Sequence, residues 1–163
     1  ISSICFRFFN IGGALQTTKG NWLKIKHDGA THLIPSILHS STANPLLIFG
    51  NDWATKDGTP TRDFVHVVDL ADALIKSLTN LEVAGNQIIN LGTSTGSTVL
   101  EVVKTAETSL KKSIAYKFAD RRAGDSFALV TSNEKAKQVL GWVPNKSLSD
   151  ILQDAQAELL ANH

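Results

Sequence analysis

Short apolar runs alternate along this chain with longer stretches whose apolar residues recur every three or four positions. The first run, Ile4-Cys5-Phe6-Arg7-Phe8-Phe9, is aromatic and stops at Asn10-Ile11-Gly12-Gly13, a turn signal. Its length disfavours a buried helix and predicts a mostly buried strand entering a glycine-rich loop. Leu33, Ile34, Ile37 and Leu38 sit at helical spacing, and Pro35 is compatible only with the first turn, where its missing N–H does no harm. Leu46-Leu47-Ile48-Phe49 predicts a strand closed by Gly50-Asn51-Asp52, and Phe64-Val65-His66-Val67 predicts another. Asp69 is placed to cap a helix with an apolar stripe of Leu70, Ala71, Leu74, Ile75 and Leu78.

The alternation continues to the end. Gln87 to Leu91 reads as a strand and is followed by the turn Gly92-Thr93-Ser94-Thr95-Gly96. Thr98 and Glu101 have capping-box spacing before a helix with Val99, Val102, Val103, Ala106 and Leu110 on one side. Ile114 to Phe118 alternates as a strand. Thr131 and Glu134 offer a second capping box for a short helix ending near Gly141. Pro144 breaks the chain before a last helix near 148–161, with Leu148, Ile151, Leu152, Ala155 and Leu159 along it. Strands alternating with helices predict an α/β fold with parallel pairing. The segments 14–30, with Gly20, Asn21, His27, Asp28 and Gly29, and 50–61, with Asp57-Gly58, are polar and aperiodic. Loops of that length in a compact domain are usually functional or mobile.

Composition narrows the picture. A length of 163 residues predicts one domain, 1–163, with a sizeable core. The net charge of +1 removes the footprint of a general nucleic-acid binder. No apolar run approaches the roughly 20 residues of a membrane-spanning helix. A single cysteine, Cys5, forms no internal disulfide, which points to a reducing, cytoplasmic setting. The chain has no methionine and begins at Ile1, in what reads as mid-strand; this predicts a piece of a longer protein.

The chemistry is mostly a list of absences. There is no metal-ligand spacing, no Gly-x-Ser-x-Gly elbow, no P-loop and no Gly-x-x-Gly-x-x-Gly after a strand. Tyr116 has no lysine four residues on. What remains suits an anion. Arg62 lies at a strand start, and Arg121-Arg122-Ala123-Gly124-Asp125 is a charged loop. A guanidinium fork suits phosphate oxygens, and a carboxylate suits a ribose diol, although the same pattern also serves ordinary surface ion pairs. His66, inside an apolar strand, fits a hydrogen-bonded core histidine better than a catalytic one. The Gly92–Gly96 loop fits a plain strand-to-helix turn better than a phosphate site. His32 suits a polar helix start as well as a ligand, and Trp22, Trp53, Trp142 and Cys5 suit packing.

Taken in order, a set of motifs resembles the C-terminal half of the UDP-glucose 4-epimerase family, in the extended short-chain dehydrogenase/reductase superfamily. They are Arg7-Phe8-Phe9-Asn10, Thr31-His32-Leu33-Ile34-Pro35, Ile48-Phe49-Gly50-Asn51-Asp52, Asp57-Gly58-Thr59, Arg62 through Asp72, Asn90-Leu91-Gly92, Arg121 through Asp125, and Gly141-Trp142. The loop from Phe49 to Arg62 resembles the 4-epimerases more than the sugar-nucleotide dehydratases. The resemblance implies a substrate-binding domain plus strands that complete a Rossmann-type sheet, with the N-terminal NAD-binding domain absent from this chain. It implies substrate roles for Asn10 and the Leu33 backbone at the diphosphate, Leu47 and Phe49 at the uracil, Arg62 and Arg122 at the diphosphate, and Asp125 at the ribose. Phe8 and Phe9 match the strand end beside the nicotinamide of NAD.

Two departures stand out. Phe8 and Phe64 occupy positions where the family commonly has tyrosine, and Leu129 occupies a position beside the sugar that varies in size. The implied reaction interconverts UDP-glucose and UDP-galactose: hexose C4 gives hydride to NAD, the 4-keto sugar turns over, and hydride returns to its other face. The base and most cofactor contacts would lie outside this chain, and the whole enzyme would be a homodimer. A piece lacking its partner strands would self-associate. Another nucleotide-sugar epimerase or dehydratase, and a non-catalytic nucleotide-sugar-binding module, remain as alternatives.

Overall fold

The computed structural model describes residues 2–24 and 32–162, with the backbone alone at 81–84. Of the residues singled out from the sequence, Ile1, His27, Asp28, Gly29 and Thr31 lie outside the described residues. In chain order the elements are β1 (Ser3–Phe8), β2 (Asn10–Gly12), α1 (Leu33–Leu38), β3 (Leu46–Phe49), β4 (Thr61–Arg62), β5 (Phe64–His66) and α2 (Val67–Ala84). Then come β6 (Asn86–Leu91), β7 (Ser97–Thr98), α3 (Val99–Leu110), β8 (Tyr116–Ala119), β9 (Ala128–Leu129), α4 (Glu134–Leu140) and α5 (Leu148–Ala161). The fold is α/β: β1 pairs with β6, β2 with β5 and β3 with β8, each pair parallel. Parallel neighbours require a crossover, and the chain runs from β1 to β6 through α1 and α2, from β2 to β5 through α1, and from β3 to β8 through α2 and α3. The short β4 lies between β7, antiparallel, and β9, parallel.

Two apolar cores meet at β5. Successive strand residues point to opposite faces, so Phe64 enters a core built on α1, β3, α3 and α5, while Val65 enters one built on α2, β6, α4 and Trp142. Trp142 is fully buried, and its indole N–H donates to the Asp69 carbonyl at 2.8 Å. Truncating so large a buried ring typically costs about 3–5 kcal/mol. The predicted box of Thr98 and Glu101 forms at α3, and Ser147 with Asp150 forms another at α5.

Several local expectations are corrected. The predicted turn at 10–13 contains β2, because Asn10, Ile11 and Gly12 align with Phe64, Val65 and His66. Asp69 does not cap α2; His66 does, its Nδ1 accepting from the Val68 amide, and the Asp69 carboxylate instead accepts from the Lys146 amide at 3.0 Å. The buried line of α2 is Leu70, Ala73 and Ser77, whereas Leu74, Ile75 and Leu78 are 46%, 64% and 75% exposed. Hydrophobic spacing alone did not separate the face packed on β1 and α4 from a second apolar face turned outward. Thr131 does not cap α4; the helix starts at Glu134, Asn133 holds the N-cap position without a side-chain cap bond, and the Thr131 hydroxyl donates to the Ser132 carbonyl instead. Ile114 is buried but precedes β8.

His66 is fully buried, its Nε2 lies 3.1 Å from Asp154 Oδ2, and its Nδ1 accepts from Val68. Both ring nitrogens are thus satisfied in the neutral Nε2–H form. Burial pushes its pKa below the ordinary 6.5, with Asp154 opposing the shift only in part. The unfolded chain therefore binds a proton below about pH 6.5 that the folded chain resists, so this contribution to stability is present above that value and falls as pH is lowered, by at most about 1.4 kcal/mol per unit. Urea unfolding between pH 7.5 and 5.5 should show this loss in the wild type and a flatter profile in His66→Gln. Parallel profiles would contradict it.

Candidate functional site

The residue next to Arg62 organises the site. Asp63 is fully buried. Its carboxylate accepts hydrogen bonds from the Thr93 amide at 2.8 Å, the Thr93 hydroxyl, the Ser94 amide at 3.2 Å and the Thr131 amide at 3.4 Å. Its carbonyl accepts from the Asn10 amide at 3.0 Å and from Asn10 Nδ2 at 3.1 Å. Gly92 permits this closeness, since a Cβ there would stand 2.6 Å from Asp63 Oδ2. One side chain so joins β4, the turn after β6 and the segment after β9, and the same residue's backbone holds Asn10.

Beside this knot opens a cleft of about 490 Å³. Its walls come from the end of β1 and β2, the start of α1, β3, β4 and the loop after β8. Arg62 reaches across it: Nη1 donates to the carbonyls of Thr61 and Ser126, each at 2.9 Å, and Nη2 lies 3.3 Å from Asp125 Oδ1. Arg122 lays its guanidinium over the Phe49 ring, with Cζ 3.7 Å from the centroid. A planar cation on a ring face is favourable, by about 0.5–1 kcal/mol at an exposed site. Two guanidinium groups against one carboxylate leave the cleft cationic.

The β3 edge supplies a different chemistry. Leu46 and Gly50 donate their amides to Ala115 and Ala119 on the β8 side. By alternation, the N–H and C=O groups of Leu47 and Phe49 face the open edge. Leu47 is exposed there, and the Phe49 carbonyl accepts from Trp53 Nε1 at 3.3 Å. An open edge carrying a carbonyl and an amide donor two residues on complements a heterocycle with adjacent N–H and C=O groups.

Among the residues singled out from the sequence, Asn10, Leu33, Leu47, Phe49, Arg62, Arg122 and Asp125 all line this one cleft, as does Phe9. Leu129 and Phe8 do not; Leu129 pairs with Arg62 in the β4–β9 ladder, and both side chains are half exposed. His32 lines the mouth and makes no side-chain cap bond to α1. Sequence reasoning passed over Asp63 as a positioning group; an acidic residue locked between two strand runs was the available signal. It also missed Asp57, whose carboxylate takes the Thr59 amide and the Thr98 hydroxyl and so fixes α3 against the polar loop. The Gly92–Gly96 turn has the amides of Thr93 and Ser94 already bonded to Asp63, so it is a structural turn. Among the described residues, no group of three metal-binding side chains converges, and no helix is long and apolar enough to cross a membrane.

Comparison with known proteins fits this geometry. Residues 1–92, more than half of the chain, match the model of the NAD dependent epimerase/dehydratase family. The chain belongs to that family. A UDP-glucose 4-epimerase of Rhizobium leguminosarum bv. trifolii is 38% identical over 159 residues, which cover 95% of this chain and 47% of that protein. The crystal structure of a UDP-glucose 4-epimerase from Stenotrophomonas maltophila, with NAD and formylated UDP-arabinopyranose bound, superposes with a TM-score of 0.90 at 28% identity, covering 98% of this chain and 48% of that one. The enzyme from Brucella ovis, in complex with NAD, superposes at 0.86 and 34% identity, covering 96% and 49%. The chain spans about half the length of the curated relatives it matches.

The family is named for NAD, but the described residues do not by themselves fit that cofactor. A dinucleotide site needs a glycine-rich strand-to-helix turn with unfilled amides. Here the turn after β6 is filled by Asp63, and the first-turn amides of α3 at Val99, Leu100 and Glu101 are taken by the Pro60 carbonyl, the Thr59 hydroxyl and the Thr98 hydroxyl. Phe8 and Phe9, at the end of β1, offer at most one wall of such a site.

Asp63→Asn replaces an acceptor with an amide whose N–H₂ confronts the backbone donors of Thr93, Ser94 or Thr131. Hydrogen bonds to a charged group contribute about 1.5–3 kcal/mol each. The substitution should cost at least about 3 kcal/mol, read as a lowered urea midpoint. A midpoint within experimental error of wild type would remove Asp63 from its organising role.

Proposed function

We propose that this chain is the nucleotide-sugar-holding half of an NAD-dependent UDP-glucose 4-epimerase, acting on UDP-glucose and UDP-galactose. The observation that carries the reading is the convergence of an open β3 edge, two guanidinium groups and a ribose-suited carboxylate on a single cleft. In this reading the uracil imide bonds the Leu47 carbonyl and the Phe49 amide and packs beside the Phe49 ring. Arg122 and Arg62 share the diphosphate charge, with Asn10 and the Leu33 amide at its far side, and Asp125 accepts from the ribose hydroxyls. The hexose then projects past the β1 end, held by its nucleotide rather than by its own hydroxyls. That arrangement suits a reaction in which the sugar must present both faces to one centre, because positioning through a remote handle leaves the reacting ring free to turn. The relatives named as UDP-glucose 4-epimerases and the solved enzyme from Bifidobacterium longum, in complex with NAD+ and UDP, support the reading.

The hydride acceptor and the base fall, on this reading, to the half of the relatives that this chain does not span. The outward apolar groups Phe8, Ile75, Leu78 and Ile88 are a surface for that further polypeptide. β1 pairs on one side with β6 and has no second strand partner among the described residues.

Two outcomes follow. Calorimetric titration of UDP into the chain should show binding, weakened by about 1.5–3 kcal/mol in Arg122→Ala, the range for hydrogen bonds to charged groups; equal affinities would take Arg122 out of the site. The chain alone, given UDP-galactose and excess NAD, should give no UDP-glucose above background in a coupled assay. Turnover by a preparation free of host epimerase would show that the chemistry resides here after all.

A further inference from the structure

Arg121 and Arg122 are neighbours with opposite dispositions. Arg122 lines the cleft; Arg121 does not. Arg121 instead stacks its guanidinium on Trp53, 4.1 Å from the ring centroid, and closes on Asp52 twice, Nε to Oδ1 and Nη2 to the backbone carbonyl, each at 2.7 Å. Trp53 in turn donates its indole N–H to the Phe49 carbonyl. The packing admits only glycine at residue 50, where φ is +82° and a Cβ would stand 2.2 Å from Trp53 Nε1 and 2.9 Å from Arg121 Cγ. The loop after β3 and the loop after β8 are thereby pinned together immediately behind the Phe49–Arg122 stack.

We infer that Arg121 is a positioning residue for nucleotide binding: its clamp on Asp52 and Trp53 holds Arg122 over Phe49 without touching the ligand. For its effect on binding, the inference rests on the cleft being the UDP site. The physical ground is that two adjacent arginines repel each other and each has many rotamers; fixing one outward by a planar stack and a two-point bond fixes the backbone from which the other departs. Lysine lacks the fork and the flat face, so it would not reproduce the clamp. Separate surface contacts of this kind are individually weak, but acting together on one loop they amount to about tenfold in affinity.

The test titrates UDP into the 163-residue chain and into Arg121→Ala, Arg121→Lys, Trp53→Ala, Trp53→Phe and the Arg121→Ala/Trp53→Ala double variant. Phe49 ring resonances are followed in phenylalanine-labelled protein before UDP is added. Arg121→Ala, Arg121→Lys and Trp53→Ala should each weaken UDP by about tenfold and shift the Phe49 ring signals, with the cooperative urea transition retained. The double variant should be no weaker than either alanine single, and Trp53→Phe, which keeps a ring face, should recover most of the affinity. Wild-type affinity in Arg121→Ala, or additive losses in the double variant, would overturn the clamp and leave the UDP site standing. If the wild-type chain fails to bind UDP, the reading of the cleft fails instead; the Phe49 signals then decide the clamp, which unchanged shifts in Arg121→Ala would overturn.

Discussion

The structure depends on a buried carboxylate that makes no ion pair among the described residues. Asp63 is held by backbone amides and one hydroxyl from two separate segments. Taking such a group from water is expensive, and only a nearly complete set of donors compensates. That requirement is cooperative: the turn after β6, the segment after β9 and the β4–β5 junction must arrive together or the charge is stranded. Arg62, one residue away, inherits its position from this closure, and so does Asn10 through the Asp63 carbonyl. The wall of the cleft is thus set by a residue that does not line it.

β5 is the second point on which the architecture turns. Its three residues are buried and divide their side chains between two cores, with His66 reaching Asp154 on α5. A strand of three residues has little pairing energy of its own, so what fixes it is the mass packed on either side. The same strand continues into α2 without a loop, because the His66 ring satisfies the helix's Val68 amide. The cleft and the β1–β6 sheet, lying on different sides of β5, are therefore coupled through continuous packing rather than through a linker.

The α/β class, the parallel pairing and the helices α2, α3 and α5 were legible in the sequence, because strand-length apolar runs and helical spacing alternate outside the polar segments 14–30 and 50–61. The cleft was legible only through ordered motifs: Arg62, Arg122 and Asp125 are sixty residues apart in part, and nothing in local spacing says that they meet. What stayed hidden has physical causes. Two-residue strands such as β4, β7 and β9 have no periodicity to detect. The outward face of α2, Leu74, Ile75 and Leu78, looks like a core stripe because periodicity reports apolar character and not what covers it. Asp63 and Asp57 resemble any polar loop residue until their donors, thirty or forty positions away, are in place.

The two arginines of the charged loop show how one residue type is divided between tying loops together and lining a cleft. Both are long, cationic and partly exposed, and a guanidinium free to sample solvent loses much rotamer entropy when a ligand captures it. A stack on Phe49 orders Arg122 before any ligand arrives, and Arg121 has already been ordered by Asp52 and Trp53. The hydrogen bond from Arg121 also holds the Asp52 carboxyl below its usual range, so the pair stays charged into mildly acidic solution. Preorganisation of this kind reduces the ordering cost of association more than it adds contact area. Loops tied to each other in this way carry less flexibility into any association at the cleft they line.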